Sequence, residues 1–166
     1  MNIYIAFGAN KALGSLDPQN VVTAALKAMP GYAVSVQAVS RLWRSPAWPD
    51  PSDPPYVNGV AAVQTRLSPE ALLDRLHDLE AQFGRVRTVI NAPRTLDLDI
   101  IDYDGQISGP DTRPVLPHPR AVQRAFVLLP LQEVAPGWVD PVSGQGIDAL
   151  IAALPAGDVA STIPIT

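Results

Sequence analysis

Ile3, Ile5 and Phe7 alternate with Tyr4 and Ala6 before Gly8, a period of two that predicts a short strand ending in a turn. Asp17-Pro18 follows as an N-cap with proline at the first helical position. Val21, Val22, Ala25, Leu26 and Met29 then recur at helical spacing until Pro30-Gly31, which predicts a first helix. From Ala33 to Trp43, Val34, Val36, Ala38 and Leu42 favour an extended strand, and Val39 falls out of step where a bulge is expected.

Ser45 to Pro55 holds five prolines in eleven residues, too few backbone donors for a sheet or helix, so it predicts a loop, and one of that length is often functional. Tyr56 to Thr65 resumes a strand. Ser68-Pro69-Glu70 opens a helix carrying Leu72, Leu73, Leu76, Leu79 and Phe83, which Gly84 stops. Arg85 to Pro93 reads as a second loop, and Leu96 to Ile101 returns the chain to the sheet.

The order βαββαβ predicts a ferredoxin-like α+β fold, an antiparallel sheet with helices on one face. A C-terminal helical extension follows. Pro119 to Val134 reads as short helical segments broken by Pro130, and Gly146 to Leu154 as a last amphipathic turn or two. Residues 1–154 are expected to form a single domain, with 155–166 as a weakly structured tail.

At 166 residues, 47% hydrophobic and 17% charged, the chain has room for one sizeable core. A net charge of −4 without a basic run argues against nucleic acid as a partner. No apolar run is long enough to span a bilayer, so no membrane is expected. With no cysteine and no secretory pattern at the N-terminus, a cytoplasmic protein is expected. Arginine is the one skewed residue: ten Arg stand against two Lys, and six of the ten lie between Arg85 and Arg124. Guanidinium groups suit bidentate contact with phosphate.

In Leu96-Asp97-Leu98-Asp99-Ile100 the period of two puts both carboxylates on one face of a strand and the apolar side chains on the other. Two like charges about 7 Å apart do little for stability but suit a hard, oxygen-seeking cation such as Mg²⁺. A strand with a solvated acidic face has the same pattern. Arg85, Arg87 and Arg94 flank it, either to neutralise a polyphosphate or to salt-bridge the two aspartates. No Walker loop and no G-x-G-x-x-G turn is present, so side chains would have to hold any nucleotide. Leu116-Pro117-His118-Pro119-Arg120, with Arg124 and Phe126, adds a histidine and two cations before and within a helical segment.

Taken together, Ala6-Phe7-Gly8-Ala9-Asn10, Arg44-Ser45-Pro46, Tyr56-Val57-Asn58, Glu80 to Arg87, Pro93 to Ile100 and Leu116 to Leu128 resemble the 6-hydroxymethyl-7,8-dihydropterin pyrophosphokinases, over most of the chain. The resemblance implies two Mg²⁺ ions on Asp97 and Asp99, bridging the phosphates of ATP as co-substrate. It makes a reduced pterin the acceptor and AMP the leaving group, in tetrahydrofolate biosynthesis. Arg85 and Arg94 join the two aspartates as catalytic residues, and Glu80, Arg87, Ile100, Arg113, His118 and Arg124 are assigned to ATP. The pterin would lie between Tyr56 and Phe126, read by Asn58 and by Ser45, Pro46 and Ala47. A monomer is expected.

Three positions depart from the family pattern. Thr88 to Ala92 lacks an aromatic, His77 stands where glutamine is familiar, and the loop from Pro46 to Pro55 differs in composition and length. Two rivals remain at this stage: a non-catalytic ferredoxin-like module binding a small anionic effector, for which two acidic residues facing the ligand have no use, and a kinase transferring only the γ-phosphate.

Overall fold

The computed structural model describes residues 2–47, 50–84 and 95–165. Arg85, Arg87 and Arg94, and the expected second loop, lie outside them. The elements run β1 (Ile3–Ala9), α1 (Pro18–Ala28), β2 (Ser35–Val39), β3 (Trp43–Ser45), β4 (Tyr56–Gln64), α2 (Pro69–Gln82), β5 (Asp97–Tyr103), α3 (Ala125–Val134), α4 (Ile147–Ala152), α5 (Ala156–Ser161) and β6 (Ile163–Pro164). Both early helices start as their sequences predict. Asp17 accepts the Asn20 N–H at 2.8 Å and Ser68 the Ala71 N–H at 3.2 Å, each with proline in the first turn.

The strands form one antiparallel sheet in the order β5-β1-β4-β3-β6, with β2 also on β4. The expected strand from Ala33 to Trp43 is therefore two strands on one partner. Its pairing slips between Val36 and Ala38 rather than at Val39, and by a further residue between Val39↔Ala61 and Trp43↔Asn58. Ser40 bridges the break: its N–H donates to Val60 O at 2.9 Å and its Oγ accepts the Val60 N–H at 3.0 Å.

One face of the sheet is an ordinary core. Ile3, Ile5, Phe7, Leu98 and Ile100 pack there against Val21, Val22 and Ala25 of α1 and Leu72, Leu76 and Leu79 of α2. Gly59 is required on this face, because a Cβ there would sit 2.3 Å from the Phe7 ring. The C-terminal extension packs on the opposite face, where Leu128 and Leu131 of α3 and Ile147 and Leu150 of α4 meet Val60 and Ile101. α1 and α2 thus lie on one face as expected, and the expected C-terminal extension forms a third layer on the other, a position the sequence had left open.

Two further expectations change. Pro130 lies inside α3 without breaking it; it forgoes one backbone hydrogen bond in the helix interior and is buried in the layer. Residues 155–166 were expected as a weakly structured tail, yet α5 forms there and β6 pairs with β3 through Trp43↔Pro164 and Arg44↔Ile163. Among the described residues no helix is long and apolar enough to cross a membrane.

Candidate active site

Register decides what faces the second side of the sheet. Residues directly opposite in an antiparallel pair point to the same face. Gly8 opposes both Asn58 and Asp97, and Ala6 opposes both Val60 and Asp99. The central strand thus offers only a hydrogen and a methyl between two flanking rows, leaving a trough about 10 Å from β4 to β5. A Cβ on Gly8 would lie 3.0 Å from Asn58 Oδ1. The helical layer covers only one end of this face, and over the other end opens a cavity of about 580 Å³.

Asp97, Asp99, Ser45, Pro46, Tyr56, Asn58, Arg124 and Phe126 all line it, eight of the residues that the sequence singled out. Asn58 Nδ2 donates to Ser45 Oγ at 2.7 Å, which fixes the amide and leaves its oxygen toward the trough. Both groups are buried, so the pair is a rigid polar edge rather than a solvated one. The Arg124 guanidinium lies 5.5 Å from the centre of the Phe126 ring, joining the cation and the aromatic wall. Arg120 and Gln123 also line the cavity. Arg120 stands in the His-Pro-Arg run already noted for its charge; Gln123 lies within the Leu116 to Leu128 run but was given no role.

His118 sits at the border of the cavity and the helical layer. Its backbone N–H donates to Ile101 O at 2.9 Å, and its ring Nδ1 accepts the Arg120 backbone N–H at 3.1 Å. The proton therefore belongs on Nε2, 4.0 Å from Asp99 Oδ2. Burial, then the charge of Arg124, pushes its pKa down to about 4; Asp97 opposes the shift and Arg120 adds to it. At neutral pH the contact is a neutral imidazole beside a carboxylate rather than a salt bridge.

Four assigned residues sit elsewhere. The Ile100 side chain is buried under α1 and α2, on the face opposite the carboxylates, so only its backbone could reach a ligand. Ala47 is buried beside the cavity without lining it. Arg113 is held on the outside of α2, 2.7 Å from Asp74 and 3.4 Å from His77. Glu80 is 1% exposed, and its carboxylate accepts the N–H of Leu98 at 2.8 Å.

The donors suit a particular kind of metal. Asp97 and Asp99 offer half-buried carboxylate oxygens on one strand, and among the described residues no group of three His, Cys, Asp or Glu could enclose an ion. Mg²⁺ is bound in this way, through one or two carboxylates completed by substrate phosphates, and not in an all-protein cage. The residues fit it.

Fold and cavity together define an α+β protein whose open sheet face presents a carboxylate pair, arginines and aromatic rings to one cavity. The sequence places it within that class: residues 4–136 match the model of the family described as 7,8-dihydro-6-hydroxymethylpterin-pyrophosphokinase (HPPK), and the chain belongs to that family. Two relatives carry the name 2-amino-4-hydroxy-6-hydroxymethyldihydropteridine pyrophosphokinase. The Synechocystis sp. protein is 45% identical over 119 residues, 71% of this chain and 60% of its own length. The Pseudomonas aeruginosa protein is 40% identical over 154 residues, 92% of this chain and 91% of its own. The folic acid synthesis protein fol1 of Pneumocystis carinii is 33% identical over 162 residues, 98% of this chain but 21% of that longer protein.

Proposed function

We propose that the protein transfers the terminal pyrophosphate of ATP to the hydroxymethyl group of 6-hydroxymethyl-7,8-dihydropterin, releasing AMP, as a step of folate biosynthesis. The observation that carries this reading is the shared cavity. Asp97 and Asp99 open into the space that Arg120, Arg124, Tyr56, Asn58 and Phe126 also line, so a charged polyphosphate and a flat heterocycle can meet there. Family membership adds the chemistry.

In the reaction, the pterin hydroxyl oxygen bonds to the β-phosphorus and gives up its proton to solvent, while the bond from that phosphorus to the α,β-bridging oxygen breaks and AMP departs with that oxygen. Asp97 and Asp99 would hold Mg²⁺, two ions by the family resemblance, which when bound supplies charge neutralisation at the phosphates. Arg124 and Arg120 bring fixed positive charge to the wall beside them, acting where charge accumulates in transfer. His118 offers a neutral Nε2–H, able to donate without adding charge.

Tyr56 and Phe126 would stack the pterin, and the braced Asn58–Ser45 pair would read its edge, with the bare backbone at Gly8 allowing close approach. Positioning of this kind accounts for a large part of such catalysis. Arg85, Arg87 and Arg94 belong to the same proposal as further phosphate contacts. The protein would act as a cytoplasmic monomer, and ATP and the pterin would be its ligands.

Incubation with Mg-ATP and the dihydropterin, followed by separation of nucleotides, tests the reading. AMP should appear in step with a pyrophosphorylated pterin. ADP in its place would mean γ-phosphate transfer, and binding without any turnover would restore the effector-binding alternative.

A further inference from the structure

Glu80 is a charged side chain with no place at the cavity, and its position is unfavourable on its own terms. It lies in the last turn of α2, where the helix dipole presents negative potential, and it is 1% exposed. A buried carboxylate at that end of a helix is a liability to stability unless fixed donors meet it. One donor is the Leu98 N–H, at 2.8 Å.

That amide belongs to the peptide joining Asp97 to Leu98. β5 ends the sheet, with β1 as its only partner among the described strands. An end strand has alternate N–H groups turned away from the sheet, with no ladder partner to hold them. Here Glu80 takes the amide between the two cavity carboxylates, bracing the strand from its open side while β1 braces the other. Rotation of that peptide would change ψ of Asp97 and φ of Leu98, and with them the separation and aim of both carboxylates.

We infer that Glu80 is a positioning residue: it acts through the Leu98 amide to hold Asp97 and Asp99 in metal-binding geometry, instead of contacting the nucleotide itself. The metal part of this inference rests on the pyrophosphokinase reading; the backbone part does not. What the site needs from Glu80 is an acceptor oxygen, so glutamine should replace it and an apolar residue should not. Groups that orient metal ligands typically change affinity or activity by about 10–100-fold when removed.

Two measurements on the whole chain test it, using Glu80→Leu, Glu80→Ala and Glu80→Gln beside the parent. The first, without ligands, is exchange of the Leu98 amide by NMR, expected to speed up about tenfold or more in Glu80→Leu and Glu80→Ala and to stay near the parent in Glu80→Gln. The second is Mn²⁺ titration by EPR with a non-hydrolysable ATP analogue, expected to show about 10–100-fold weaker metal binding in the apolar variants and near-parent binding in Glu80→Gln. Should the apolar variants fail to fold, Glu80→Gln decides alone: near-parent values support the acceptor role, and a loss of metal binding overturns it. Unchanged Mn²⁺ affinity in a folded Glu80→Leu overturns the inference, as does a loss confined to affinity for the nucleotide. A parent that binds no Mn²⁺ and makes no AMP overturns the functional reading together with the metal half of this one.

Discussion

The two faces of this sheet are built by the same strands and do opposite work. Toward α1 and α2, β1 and β5 present Ile3, Ile5, Phe7, Leu98 and Ile100, all at most 3% exposed. Toward the other side the same strands present Ala6, Gly8, Asp97 and Asp99, and the helical layer leaves part of that face open. Alternation along a strand lets one face carry a continuous core, while the open part of the other face holds charges and small residues. Asp97 and Asp99 thus stand on the face away from the α1 and α2 core, where Leu98 and Ile100 carry the packing.

The comparison makes its sharpest claim within β5. Asp97→Ala or Asp99→Ala should cut turnover by roughly 10³-fold, about 4 kcal/mol, while the melting temperature holds or rises through relieved repulsion. Leu98→Ala, one residue away, should do the reverse. It should cost about 2–5 kcal/mol of stability in urea titrations, with activity per folded molecule falling far less. Near-normal activity in either aspartate variant, or a stability loss there as large as that of Leu98→Ala, would break the division between the faces.

Effects within the open face should divide in turn. Arg124→Ala removes a cation from the polyphosphate wall and should lower kcat/KM for ATP by roughly 2–4 kcal/mol, with lysine a poor substitute. Tyr56→Ala should weaken the pterin by about 1–2 kcal/mol and leave the nucleotide nearly unaffected, and Tyr56→Phe should be mild. Titrating each ligand against each variant checks both. A Tyr56→Ala protein that lost ATP and pterin equally would merge the two halves of the site.

Much of this was legible because it depends on local periodicity. The helix caps at Asp17 and Ser68 marked two helices, and the alternation at Asp97 and Asp99 and the clustered residues from Leu116 to Phe126 identified part of the cavity wall; Ser45, Pro46, Tyr56 and Asn58 came from the family resemblance. What escaped depends on pairing partners far along the chain. That Glu80 reaches Leu98, or that Ile163 and Pro164 close the sheet against β3, follows from tertiary contact and not from spacing. The register slips in β2 and β3 were beyond reach for the same reason: Val39 broke the pattern, but only β4 could decide where the extra residues go. Arg113, assigned to ATP through the resemblance, has its guanidinium 2.7 Å from Asp74 on α2, a further contact that spacing does not show.

An effect confined to acid pH lies on the seam between the covered and open parts of the second face, at His118. Its folded pKa is lowered to about 4 from an ordinary 6.5, chiefly by burial and then by Arg124. The unfolded chain therefore takes up a proton near 6.5, while the folded protein does not until about 4. More protons on the unfolded state means that stability increases with pH across that window. The contribution is fully present above the unfolded value and is lost as pH falls through the folded one. Apo protein unfolded in urea at a series of pH values between the two should lose stability steadily on acidification, and His118→Gln should remove that part of the slope while leaving stability near pH 8 little changed. A variant with the parent's slope would mean that His118 charges in the folded state as readily as in the unfolded one, and that the imidazole beside Asp99 is not the neutral donor that its Nδ1 bond to the Arg120 amide implies.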